Sequence, residues 1–199
     1  MPGLLCDLLT MLCDNDFIVL NAVYLKKMAA AQTIAEATAL PVDIVSQRLA
    51  AAVEQGWLMD LPSGAMLLDQ GIEQILAFYN DAYASVRTDP AVVRWYQNFE
   101  MLNTRFIAAV SEWQRTEGDP RVERRLLQTA ERLAKDIVQL VPQIPRYASY
   151  PQRLQRSMDK VDSGQRDFVC KPTVDSVHNI WFEFHEDILA VLGRPRDTT

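Results

Sequence analysis

A chain of 199 residues with 49% apolar and 23% charged side chains has the composition of an ordinary globular protein, long enough to bury a core. Its formal charge of −6 argues against a general nucleic-acid binder. No apolar run reaches the roughly 18–20 residues a membrane helix needs, and the N-terminal residues lack the basic leader and cleavage site of a signal peptide. The three cysteines stand in no metal-ligand spacing, so a cytoplasmic location is the expectation.

Residues Met1 to Cys13 predict a short helix whose Leu4, Leu5, Leu8 and Leu12 cover an apolar surface, with Cys6 and Cys13 as buried thiols on one face. From Asp16 to Met28, the residues Phe17, Leu20, Val23, Tyr24 and Met28 recur at helical spacing. A second helix follows at Gln32–Thr38, with Ile34 and Ala35 facing in. Pro41 suits the first position of a third helix, Pro41–Gln55, which Gly56 stops. Trp57–Leu61 and Ala65–Leu68, joined by Pro62-Ser63-Gly64, read as a hairpin. Three helices and then a small hairpin predict a winged helix-turn-helix whose wing is that hairpin.

A helix at Gly71–Val86 leads out of the wing, and Thr88-Asp89-Pro90 punctuates the boundary. The expected organisation is a winged module at 1–87 and an α-helical domain at 88–199, in a fold that is mainly α. In the second part Val92, Trp95, Tyr96, Phe99, Leu102, Phe106, Val110 and Trp113 form one helical stripe. Gly118-Asp119-Pro120 breaks it, and Val122, Leu126, Ala130, Leu133, Ile137 and Leu140 form the next. Val141–Tyr147, with two prolines, is a rigid connector; Tyr150–Asp162 is a shorter helix, and Thr173–Leu192 is the last.

The chain has no glycine-rich phosphate loop, nucleophile elbow or paired-cysteine site, so no catalytic residue is assigned and no cofactor is expected on it. Its densest constellation is the last helix, which holds both histidines. Seven residues is two helical turns, so Asp175, His178, Trp181, Phe182, His185 and Leu189 are expected on one face, with Glu183, Glu186 and Asp187 opposite. On one reading His178 and His185 line a ligand pocket with Trp181, Asp175, Glu183, Asn103 and Trp113. On the other they are core residues whose ring nitrogens are satisfied by Asn103 or a carboxylate. A metal site fits poorly, because that spacing sets the two side chains roughly 10 Å apart. Asn103 interrupts an apolar stripe and requires a polar partner. Arg121, Arg124, Arg125, Arg132, Arg146, Arg153 and Arg156 read mostly as solvated surface.

A DNA reader presents the exposed half of its recognition helix to base edges and holds phosphates with flanking cations. Gln47 and Arg48 on the third helix, with Lys26 and Lys27 before it, are the candidates. Yet residues 1–70 hold three cations against eight acids, a balance of −5, and the wing has no cation. DNA is therefore not the expected partner.

Several motifs resemble winged-helix-plus-helical segments associated with enzymes of the phosphoenolpyruvate synthase and pyruvate phosphate dikinase type. They are Val23-Tyr-Leu-Lys26, Ile34-Ala-Glu-Ala-Thr-Ala-Leu-Pro41, Asn103 with Trp113-Gln114, and Pro145-Arg-Tyr147 with Tyr150 and Arg153-Leu154. The most specific is Asp175-Ser176 with His178 and Trp181-Phe-Glu-Phe-His-Glu-Asp-Ile-Leu189. In those enzymes an ATP-binding domain phosphorylates a mobile histidine, whose Thr-x-Gly-Gly motif this chain lacks. The resemblance implies a small accessory subunit, with ATP, Mg²⁺ and the phosphohistidine on a large dikinase-like partner, and an aromatic acceptor with a phenolic hydroxyl, as in aromatic-compound degradation. The alternative is a ligand-responsive winged-helix transcriptional regulator.

Overall fold

The computed structural model describes residues 12–116 and 118–195. The helix expected at Met1–Cys13 lies outside them except for its last two residues, which are not helical. Cys13, expected to be a buried thiol, is exposed. It stands just before the first helix, and its Sγ donates to Asp16 Oδ2 at 2.9 Å.

The fold is mainly helical with one small sheet. Helix α1 (Asp14–Lys26) buries Phe17, Val19, Leu20, Ala22, Val23 and Leu25, so its apolar surface wraps most of its circumference. Such a helix belongs at a centre, and α1 touches α2 (Ala31–Thr38), α3 (Val42–Glu54), α4 (Asp69–Ala82) and α9 (Val177–Leu192). The two-residue strand β1 (Met28–Ala29) pairs antiparallel with β3 (Gly64–Leu67), which pairs antiparallel with β2 (Leu58–Leu61). Gly64, at φ +131°, is where the hairpin crosses β1; a Cβ there would stand 2.5 Å from the Ala29 carbonyl carbon, so only glycine permits the approach.

Helices α5 (Pro90–Arg115) and α6 (Pro120–Ile137) start alike. In each an aspartate, Asp89 or Asp119, accepts from the backbone N–H two residues on at 2.7 Å, and proline takes the first helical position, where no donor is needed. Short 3₁₀ turns at Val138–Leu140 and Pro145–Ala148 form the connector. The chain continues through α7 (Ser149–Asp162) and the one-turn α8 (Asp167–Cys170) into α9, which ends at Gly193 with φ +63°.

Several expected elements shift at their ends: the first helix is Asp14–Lys26 where Asp16 to Met28 was expected, and the helix after the hairpin is Asp69–Ala82 where Gly71–Val86 was expected. Pro41 precedes α3 instead of beginning it, and α9 starts at Val177 because Ser176 caps it, its hydroxyl accepting from Asn179 N at 3.3 Å. The apolar core is continuous from Leu12 to Leu192, across the boundary expected near residue 88.

Candidate functional site

One side of α9 carries His178, Trp181 and His185 against α5, whereas Phe182, expected with them, lies a residue further round the helix on the lining of an outer cavity beside Asn179 and Glu183. Trp181 stacks on Phe106 with ring centroids 3.7 Å apart and planes 3° from parallel, and its indole N–H donates to Asn103 Oδ1 at 2.8 Å. Trp181 is thus the polar partner that Asn103 required. His185 meets Phe99 edge-on at 5.3 Å, and His178 lies 6.3 Å from Phe106. Partial burial lowers the His178 pKa below its ordinary 6.5. Trp113 buries its indole nitrogen without a hydrogen-bond partner among the described residues. Phe99, Asn103 and Phe106 with His178, Trp181 and His185 form a packed seam between α5 and α9.

Asp175 is not on this side. It lies ahead of the helix, in the turn closed by Ser176 N–H donating to Val174 O at 2.8 Å, and joins Glu183 in an ion network. The expectation that the arginines are solvated also needs correction at two positions. Arg146 and Arg153 have side chains only 11% and 3% exposed, because the far side of α9 presents Glu183 and Asp187, four residues apart, to the interior. The other five arginines of that set are exposed.

Asp187 is fully buried and is ringed by donors. Arg146 binds it through both terminal nitrogens, Nη2 reaching Oδ1 at 2.6 Å and Nη1 reaching Oδ2. Tyr79 and Tyr147 hydroxyls donate to Oδ1 at 2.9 and 3.3 Å, while Tyr150 and the Asn21 amide donate to Oδ2 at 2.9 and 3.4 Å. The Arg146 guanidinium carbon lies between 4.8 and 5.6 Å from the ring centres of Phe17, Tyr79, Tyr83 and Tyr147, a cation enclosed by rings. Burial would lower the pKa of this arginine, but Asp187 more than offsets that and holds it well above its ordinary value. Burial and the same carboxylate push the Tyr79, Tyr147 and Tyr150 phenols up, so they stay donors.

One turn earlier, Arg153 donates from Nη2 to Asp175 Oδ1 and to Glu183 Oε2, each at 2.6 Å, and from Nε to Asp175 Oδ2 at 3.0 Å. Lys26, from the end of α1, donates to Glu183 Oε1 at 2.7 Å and to Asp175 Oδ1 at 3.2 Å. Burial raises the Asp175 pKa, but Arg153 and then Lys26 outweigh it and hold the carboxyl at about 2. Both networks are neutral overall and tie α1 and α4 to α7 and α9.

The four DNA-contact candidates are therefore placed differently. Lys26 is paired inward, and Arg48 donates to Asp16 at 2.9 Å. Gln47 is exposed, as is Lys27, whose ammonium lies over the Tyr24 ring.

Two cavities border these networks. The inner one, of about 90 Å³, touches Asn21, Arg146, Tyr150, Arg153, Glu183 and Asp187; it has room for a few waters and no organic ligand. The outer one, of about 650 Å³, opens between the end of α1 with β1 and the α7–α9 segment. A groove between α5 and α6 holds spaces of about 520 and 430 Å³ joined at Leu102, Arg105 and Arg132. His178, His185 and Trp181 line none of these. Among the described residues no helix is long and apolar enough to cross a membrane, and no group of three His, Cys, Asp or Glu side chains is placed to hold a metal ion.

Compared with protein-family models, curated proteins and solved structures, the chain matches none of them.

Proposed function

We propose that this chain is a non-catalytic accessory subunit of a two-component, ATP-dependent phosphotransferase of the dikinase type. On this reading residues 1–87 are a winged helix-turn-helix that docks a protein and not an operator. The order α1, α2, α3 and then the β2–β3 hairpin supports the winged-helix assignment.

The observation that carries the docking role is the fate of the module's cations. Lys26 is consumed by Asp175 and Glu183, and Arg48 by Asp16. Among the described residues up to 70, Lys27 is the cation left without a carboxylate partner, whereas counterion release on DNA needs several phosphate contacts. The outer face of α3 presents Asp43, Ser46 and Gln47, a surface suited to a protein. Resemblance supports the enzyme class. Arg146, Tyr147, Tyr150, Arg153, Asp175, Glu183 and Asp187 belong to the motifs that carry it, and here they build the two buried networks.

ATP, Mg²⁺ and the phosphohistidine would reside on the large partner, and the acceptor would be an aromatic compound with a phenolic hydroxyl. The test is reconstitution. The purified chain alone turns over no ATP; with a large dikinase-like partner it co-elutes on gel filtration, and phosphorylation of a phenolic acceptor then depends on both chains. ATP-dependent product from the small chain by itself, or tight, steeply salt-dependent binding to a promoter duplex, overturns the proposal.

A further inference from the structure

The outer cavity has the makings of a ligand site that the accessory-subunit reading does not use. Its volume of about 650 Å³ lies within the range of small-molecule pockets. One wall is fixed and electrically neutral, because Lys26 and Arg153 saturate Asp175 and Glu183. Glu36, the other carboxylate on the lining, accepts from the Gln32 amide at 2.9 Å.

The lining also includes two lysines, Lys27 and Lys160, whose ammonium groups have no carboxylate partner among the described residues. Lys160 lies over the Phe168 ring, 4.1 Å from its centroid, and Lys27 over the Tyr24 ring at 4.7 Å. Phe168 and Phe182 are the aromatic residues of the lining. Lys27 also holds φ +67° with ψ −42°, a conformation rare for any side-chain-bearing residue. It persists because β1 begins at the next residue and is pinned by the Met28–Met66 register.

We infer that this cavity binds a small organic anion with a ring-bearing apolar body, its charged group held by Lys27 and Lys160 and its ring against Phe168 and Phe182. A divalent cation does not suit the site, because both interior carboxylates are already occupied by Arg153 and Lys26. A bare inorganic anion leaves the aromatic wall unused.

The probe is 8-anilinonaphthalene-1-sulfonate, a ringed monoanion whose fluorescence rises on binding, titrated into the full chain without any partner protein. Failure here therefore says nothing against the accessory-subunit reading, and the reverse holds too. Saturable one-to-one binding is expected, weakened at least about tenfold by Lys27→Ala with Lys160→Ala. The melting temperature stays unchanged, since neither lysine enters the buried networks. Arg105→Ala, in the α5–α6 groove, leaves the affinity unaltered. 1-Naphthoate displaces the probe, and inorganic phosphate at the same concentration does not. Equal affinity for the uncharged N-phenyl-1-naphthylamine, displacement by phosphate as strong as by naphthoate, or undiminished binding by the double-lysine variant would each overturn the inference.

Discussion

Replacing Asp187 by asparagine tests the centre of the buried network with almost no change in shape. Each carboxylate oxygen accepts from three donors: Arg146, Tyr79 and Tyr147 on one, Arg146, Tyr150 and Asn21 on the other. Either orientation of the substituted amide would turn an NH₂ toward three donors, and the Arg146 guanidinium would lose its counter-charge in a largely buried site. Breaking one side of such a pair costs about 3–5 kcal/mol, which for a chain of this length lowers the melting temperature by roughly 6–20 °C.

A second variant separates charge from hydrogen bonding. Arg146→Met with Asp187→Leu removes both charges, a change that is often neutral for a simple buried pair. Here the Tyr147 and Tyr150 hydroxyls and the Asn21 amide lose their acceptor, while the single Tyr79 hydroxyl hydrogen can turn to Asn21 Oδ1, 2.7 Å away. Three orphaned donors at about 1–3 kcal/mol each leave the double variant still destabilised by about 3 kcal/mol or more, yet by less than the two single changes added together. Urea unfolding with a constant slope gives both numbers. A loss below about 1 kcal/mol for Asp187→Asn would refute the view that this carboxylate organises the junction.

Three further outcomes follow from the same geometry. The Asp175 carboxyl, held at about 2 against an ordinary 3.8, adds stability that is complete above pH 4 and fades as pH falls toward 2. Asp175→Asn should therefore cost about 2 kcal/mol at neutral pH and flatten that acid limb in pH-dependent urea melts. Because burial lowers the His178 pKa, the unfolded chain takes up its proton at a higher pH than the fold does, so stability falls as pH drops below 6.5; His178→Phe should lessen that slope. Asn103→Leu should cost about 1–3 kcal/mol by leaving the Trp181 indole N–H without its acceptor, seen as a lower melting midpoint with the near-ultraviolet spectrum of Trp181 altered.

The helices were legible because their apolar residues recur at helical spacing and because Asp-Pro pairs mark the starts of α5 and α6. The Trp181–Asn103 bond was half legible: an amide in an apolar stripe demands a partner, but sequence does not say which of several polar groups faces it. The two networks escaped for a clear reason. Arg146 and Arg153 look like solvated arginines when counted along the chain, and their partners are 41 and 22 residues away. A signal was present in α9, where Glu183 and Asp187 sit one turn apart among Ile180, Phe184, Ile188 and Val191. Acids at that spacing in so apolar a helix must be paired in the interior, and the prolines and tyrosines around Arg146 mark the segment that supplies a partner.

Ion pairs at such a depth are poor stabilisers compared with well-packed apolar groups, so their value here lies in selecting one arrangement. No residue of helix α9 is exposed, and apolar contact alone would tolerate rotation about its axis. Turning it by one residue, about 100°, would carry Glu183 away from Lys26 and Arg153 and Asp187 away from Arg146. Two carboxylates would then lose their partners inside the protein, Arg146 would lose its counter-charge, and Lys26 and Arg153 would be left to share Asp175. The aromatic seam adds a second constraint on the opposite side, since the same rotation would lift Trp181 off Phe106 and Asn103. Lys26 and Asn21 extend the lock to α1, and Tyr79 extends it to α4. The helices around the small sheet are thereby held in one register against the helices that follow them, and the walls of the outer cavity keep their spacing.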